Sequence, residues 1–191
     1  YREGEYAEAL NRCRQAFERT ATPELRDELA TQQSLIVNRW AEKQAQAARA
    51  QLQKRPEEEQ LREIEAGLKP FLTLDPTPEG HWVRQIEDLL RETRTRRLRG
   101  RIAQARVRYE DWDTDGGAGA PQAALDLLKA IQEEAETLGT QVDFDITLDA
   151  AALEAEIQET LRQREEAQRR SERDTMLELA RELQAHLEDP T

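Results

Sequence analysis

A single cysteine, Cys13, is all that the 191 residues offer for disulfide chemistry, so no bridge can close within the chain; that fits a reducing compartment such as the cytoplasm. Ser34 and Ser171 are the only serines, both in stretches expected to be helical, and His81 and His186 are the only histidines, far apart in sequence. Nucleophile–base pairs have almost no raw material here, and no enzyme is expected. No Glu-x-x-His pair is present, which disfavours a carboxylate-bridged di-metal bundle, and Gly116-Gly117-Ala118-Gly119 lacks the Lys-Ser/Thr that completes a phosphate cradle. No cofactor is expected. Val and Ile together number eleven, too few for a sheet core, and no run approaches the roughly 18 apolar residues that cross a bilayer. Positive charge is also in deficit: the net charge of −12 repels nucleic acid and anionic membrane in general.

What is abundant is helix-forming sequence. Ala, Glu, Lys, Arg and Leu supply 105 of the 191 residues, the composition of long helices and coiled coils. Because 26 of the apolar residues are alanines, burial must come from thin helix-on-helix seams. Tyr6, Leu10, Cys13 and Phe17 step by 4, 3 and 4 along a first short helix. Thr22 then reads as an N-cap with Pro23 at the first helical position, opening a long helix from Glu24 to about Lys54 with a sparse seam through Leu25, Leu29, Ile36, Trp40, Ala47 and Leu52. Pro56 ends it. Glu57 to Glu59 open a second short helix along Leu61, Ile64, Leu68 and Phe71, with Pro70 kinking or ending it.

The Thr-Pro-Glu start recurs at Thr77-Pro78-Glu79, and a second long helix runs from about His81 to Trp112. A loop over 113–120 leads to Pro121 and a third short helix along Ala124, Leu128, Ile131, Ala135 and Leu138, with Gly139 just past its end. Val142 to Ile146 alternates like a short strand but lacks a partner, so it is expected to plug the end of a hairpin. The longest helix, about Leu148 to Leu187, follows; its middle, 162–174, holds one apolar residue, Ala167, and is either solvated or awaits a neighbour. The expected fold is therefore all-α: a short helix plus a long helix, three times, over residues 1–54, 55–115 and 116–191. These tandem helical hairpins would form an elongated α-solenoid or coiled-coil-like rod. The opening at Tyr1 without Met, and the close at Asp189-Pro190-Thr191, read as one repeat domain excised from a longer protein.

Tyr1-Arg2-Glu3-Gly4-Glu5-Tyr6-Ala7-Glu8-Ala9-Leu10 resembles the first-helix opening of a tetratricopeptide-type repeat, echoed by Pro121-Gln122-Ala123-Ala124-Leu125 and Leu72-Thr73-Leu74-Asp75-Pro76. The resemblance covers about 30 residues. The period is longer than that family's, and the signature Trp-Leu-Gly-Tyr set is absent. It implies a helical-hairpin scaffold for binding proteins. Long helices shared between successive units also resemble spectrin-type repeats.

Three local patterns invite a functional reading. Seven arginines, Arg94, Arg96, Arg97, Arg99, Arg101, Arg106 and Arg108, fall within fifteen residues with no acid among them, and Arg94, Arg101 and Arg108 share one heptad position. Such a stripe would suit an acidic partner or a nucleic acid through the helix 94–108; alternatively, acidic helices carrying Glu57 to Glu65 or Glu133 to Glu136 neutralise it. Asp111, Asp113 and Asp115, followed by Gly116, alternate as the start of a calcium-binding loop does, although Gln122 stands where a bidentate Glu belongs. Trp112 is a candidate interface anchor, whereas Trp40 and Trp82 fit helical stripes as seam-fillers. The function expected is a non-enzymatic scaffold or spacer for protein–protein interaction. Its partners would be another protein or neighbouring domains of the same chain, with homodimerisation through the long helices as a further possibility and no membrane contact.

Overall fold

Proline and glycine punctuate the helices, and the seams between them form the core. The computed structural model describes the backbone of residues 3–74, 82–115 and 120–188, and side chains within 4–74, 82–112 and 121–184. Among the described residues there are six α-helices and no strand: α1 Glu3–Arg19, α2 Pro23–Leu52, α3 Glu58–Leu68, α4 Trp82–Asp115, α5 Ala120–Leu138 and α6 Asp145–Glu188. The chain is thus all-helical, with short and long helices alternating. No helix is long and apolar enough to cross a membrane among the described residues.

The punctuation acts much as its chemistry dictates. Thr22 is extended at φ −79° and ψ 121°, and Pro23 follows as the first residue of α2. Beyond α2, Arg55 adopts a left-handed φ of 54° ahead of Pro56. The backbone N–H of Glu57 donates to the Gln60 side chain at 3.0 Å, half of a capping box at the start of α3. Pro70 does not stop the chain from coiling; α3 tightens at Lys69 into a 3-10 turn, Lys69–Thr73. Gly139 takes φ +53°, the left-handed conformation anticipated for a residue just past a helix end, and opens a second 3-10 turn, Gly139–Gln141. Two boundaries differ from expectation. Helix α4 continues through Asp115, so 113–115 are helical and not loop, and α6 begins at Asp145. The strand-like alternation at 142–146 has a different basis: Val142 and Ile146 are buried while Phe144 is 78% exposed, because the helix starts inside that stretch. The second Thr-Pro-Glu start and His81 lie outside the described residues.

By internal contacts the chain divides into two units, Tyr1–Arg101 with Ala135–Ile146, and Ile102–Glu134 with Thr147–Thr191. In the first, α1 and α2 form an antiparallel hairpin: Tyr6 stacks on Trp40 at 6.4 Å, and Arg26 lies over the Phe17 ring near the turn. The aromatic series continues from Trp40 to Phe71 at 4.8 Å and from Phe71 to Trp82 at 6.0 Å, both edge-on, tying α1, α2, the 3-10 turn and α4 together. Trp40 and Trp82 therefore fill seams. Trp82 donates from Nε1 to Asn38 Oδ1 at 2.7 Å, whereas the buried Trp40 Nε1 has no acceptor among the described residues.

Two contacts fix how α4 runs beside α2. Trp82 meets Asn38, and Arg96 donates to the Leu52 carbonyl at 2.6 Å; both pairs are separated by 44 residues, so the two long helices are parallel. Helix α3 is antiparallel to α4, since Phe71 meets Trp82 while the earlier Glu65 meets the later Arg94. In the second unit, Arg106 with Glu156, Tyr109 with Thr160 and Trp112 with Arg164 keep an offset of 50 to 52 residues, so α4 and α6 also run parallel. Ala124, Leu128 and Ile131 of α5 are fully buried in this unit, as is Ile157 of α6.

Candidate functional site

The arginine run sits on one uninterrupted stretch of α4, with Arg residues facing several sides of the helix. Arg94 is buried at 4% exposure, and its Nε donates to Glu65 Oε1 of α3 at 2.8 Å. Its Nη1 donates to Gln141 Oε1. Arg97 approaches the other Glu65 oxygen at 3.6 Å, and Lys69 reaches Oε1 at 3.2 Å. One carboxylate, itself 5% exposed, thus holds three cations. Burial pushes the Glu65 carboxyl up, but hydrogen bonds from Arg94 and Lys69 and the charges of Arg97 and Arg94 outweigh it. The net result is a pKa below the ordinary value, so the carboxylate stays ionised.

The other arginines are engaged in the same manner toward the rim. Arg96 bridges Glu92 and the Leu52 carbonyl, capping the end of α2. Arg99 pairs with Asp145 and, at 3.7 Å, with Asp143. Arg106 pairs with Glu156 at 3.7 Å. At least five of the seven arginines therefore pair with carboxylates of this chain among the described residues, Arg96 within α4 and the others on neighbouring segments. Between them Thr95, almost fully buried, accepts the backbone N–H of Asp143 at 3.1 Å and anchors the segment that carries Asp143 and Asp145.

The three arginines of the heptad stripe are not equivalent. Arg94 is inside, Arg101 is half-buried and Arg108 is exposed. Trp112 is buried at 8% exposure, with the Arg164 guanidinium 4.1 Å from its ring centroid and Tyr109 beside it at 6.1 Å. The hydroxyls of Tyr109 and Thr160 share a hydrogen bond of 2.8 Å. Asp111 is exposed in the last turns of α4. Asp113 and Asp115 continue that helix, and their side chains and Gly116 lie outside the described residues. Successive alternate positions on an α-helix are 200° apart, so the helical backbone places Asp111 and Asp113 on opposing sides. Among the described residues no group of three or more His, Cys, Asp or Glu side chains is arranged to hold a metal ion.

Glu65 lies within an acidic stretch that the sequence marks as a counterweight to the arginines. Gln141, Thr95, Asp143, Asp145 and Glu156 were not marked, because each meets its partners across 44 to 50 residues of chain. The signal that would have found them is the offset between successive long helices. Comparison of the chain with protein-family models, with curated proteins and with solved structures found no match.

Proposed function

We propose that the chain is a non-enzymatic helical scaffold of tandem hairpins, akin to tetratricopeptide and spectrin-type repeats, that engages a helical segment of a protein partner, a second copy of the chain, through α6. The parallel registers of α2 with α4 and of α4 with α6, each with a short helix folded back, support the tandem arrangement. The observation that carries the binding role is on α6. From Arg162 to Gln184 every residue is exposed, yet Met176, Leu179, Ala180 and Leu183 recur at the i, i+3, i+4, i+7 positions of an apolar helix face. Apolar side chains in that pattern suit burial against a partner helix or in a hydrophobic groove.

The arginine run supports this reading over nucleic-acid recognition. A phosphate backbone needs guanidinium groups whose counterions are small and releasable, and most of these are bound to carboxylates of the same chain. Sedimentation velocity over a concentration series tests for a second copy as the partner, alongside fluorescence anisotropy with single-stranded RNA and duplex DNA at low salt. Expected are concentration-dependent self-association, its loss in the Met176→Glu, Leu183→Glu double variant, and no nucleic-acid binding. A monomer at all concentrations that binds RNA or DNA with steep salt dependence contradicts the proposal.

A further inference from the structure

In the first unit, a recess of about 290 Å³ opens between the 3-10 turn after α3, one face of α4 and the 3-10 turn after α5. Glu87, Leu90, Arg91 and Arg94 line it at the i, i+3, i+4, i+7 positions of α4, with Leu72 on one rim and Thr140 and Gln141 on the other. The volume is at the lower end for small-molecule sites, enough for one side-chain-sized group and its neighbour.

The polar lining is unevenly satisfied. Arg94 spends Nε on Glu65 and Nη1 on Gln141, which fixes the plane of the guanidinium. The residue is 4% exposed and lines the recess. Arg91, one helical turn away on the same face, is exposed and forms no ion pair among the described residues. Glu65 is shared by Arg94, Arg97 and Lys69, which leaves that cluster net positive, while Glu87 faces the same recess as Arg91 and tempers the excess, so the local charge suits a monoanion better than a phosphate dianion. Leu90, 2% exposed, and Leu72, 46% exposed, supply an apolar floor and edge.

We propose that this recess binds one carboxylate attached to an apolar group, the carboxylate bridging Arg91 and Arg94, and the apolar group resting on Leu72 and Leu90. The chemistry is shared by a polypeptide C terminus and by an acidic side chain next to a leucine-like residue. The site does not depend on α6 or on the scaffold reading.

The test is a titration of the full chain followed by ¹H–¹⁵N correlation spectra. N-acetyl-leucine represents a chain terminus and acetyl-Leu-Glu-amide an acidic side chain; N-acetyl-leucinamide and inorganic phosphate are the controls. Saturable shifts confined to the amides of residues 87–94 and 140–141, with a Kd on the order of millimolar for either carboxylate, support the proposal and identify the source. Arg91→Gln, at an exposed residue without an ion pair, leaves the fold intact and should weaken binding by about tenfold or more. No saturable shift with either carboxylate overturns the proposal. So do equal shifts with N-acetyl-leucinamide or phosphate, and an unchanged affinity in Arg91→Gln.

Discussion

Removing the carboxylate of Glu65 is the sharpest perturbation of the first unit. Glu65→Ala leaves Arg94, 4% exposed, and the largely buried Arg97 without their common counterion. At charge separations of about 4 Å and an effective dielectric near 20, each contact is worth roughly 4 kcal/mol before desolvation is counted. Desolvating the buried ions offsets much of this, so the ion pair adds little net stability over an apolar replacement. Breaking it from one side is different, because the penalty already incurred for burying Arg94 is no longer compensated, and the loss should be about 3–5 kcal/mol. Glu65→Gln keeps the shape and one acceptor and should lose less. The double variant Glu65→Met, Arg94→Leu should recover most of the loss. Urea unfolding followed by circular dichroism reads these differences, and the four proteins form a double-mutant cycle.

The same carboxylate sets a pH dependence of definite sign. Its folded pKa lies below the ordinary glutamate value, so the folded state favours the ionised form. That stabilisation is fully present above the unfolded glutamate pKa of about 4.3, and is lost as pH falls through the lower, folded value. Glu65→Gln should therefore flatten the acid limb of the stability profile. A loss under about 1 kcal/mol in Glu65→Ala, with an acid limb unchanged in Glu65→Gln, would refute the reasoning.

Trp112→Ala should cost about 3–5 kcal/mol by thermal or urea unfolding, because the indole is buried beneath Arg164; a surface anchor would give almost no change. Gly100→Ala should stabilise α4 by about 1 kcal/mol, since nothing lies within 4 Å of the added methyl group, whereas Gly139→Ala should destabilise because its φ is +53°. Opposite signs in the two melts are the check. Thr95→Val should cost about 1 kcal/mol and speed amide exchange at Asp143, whose N–H loses its acceptor.

Helix content, the order of short and long helices and most breaks were legible because they depend on local chemistry: Pro23 at a helix start, Gly139 in a left-handed conformation, and Leu61, Ile64, Leu68 and Phe71 on one buried stripe. The α4 boundary was misplaced since Asp113 and Asp115 read as turn formers, while helical continuity carried the helix past Trp112. The arginine stripe shows where local reading fails. Heptad spacing groups Arg94, Arg101 and Arg108, but the segments packed on each stretch of α4 set which of them is inside, and one-dimensional spacing does not encode those partners. Arg94 looks like its neighbours until Glu65 of α3 is laid across it. Trp112 was ambiguous for the same reason, with its cover, Arg164, 52 residues downstream.

The central claim is that the basic run of α4 serves chiefly to join the helices, with its arginines bound by the chain's own carboxylates. Side-chain hydrogen exchange at the arginine Nε–H groups tests it most directly. The account predicts slow exchange at Arg94, whose Nε–H is buried against Glu65, and fast exchange at the exposed Arg108. Equally fast exchange at the two would contradict it.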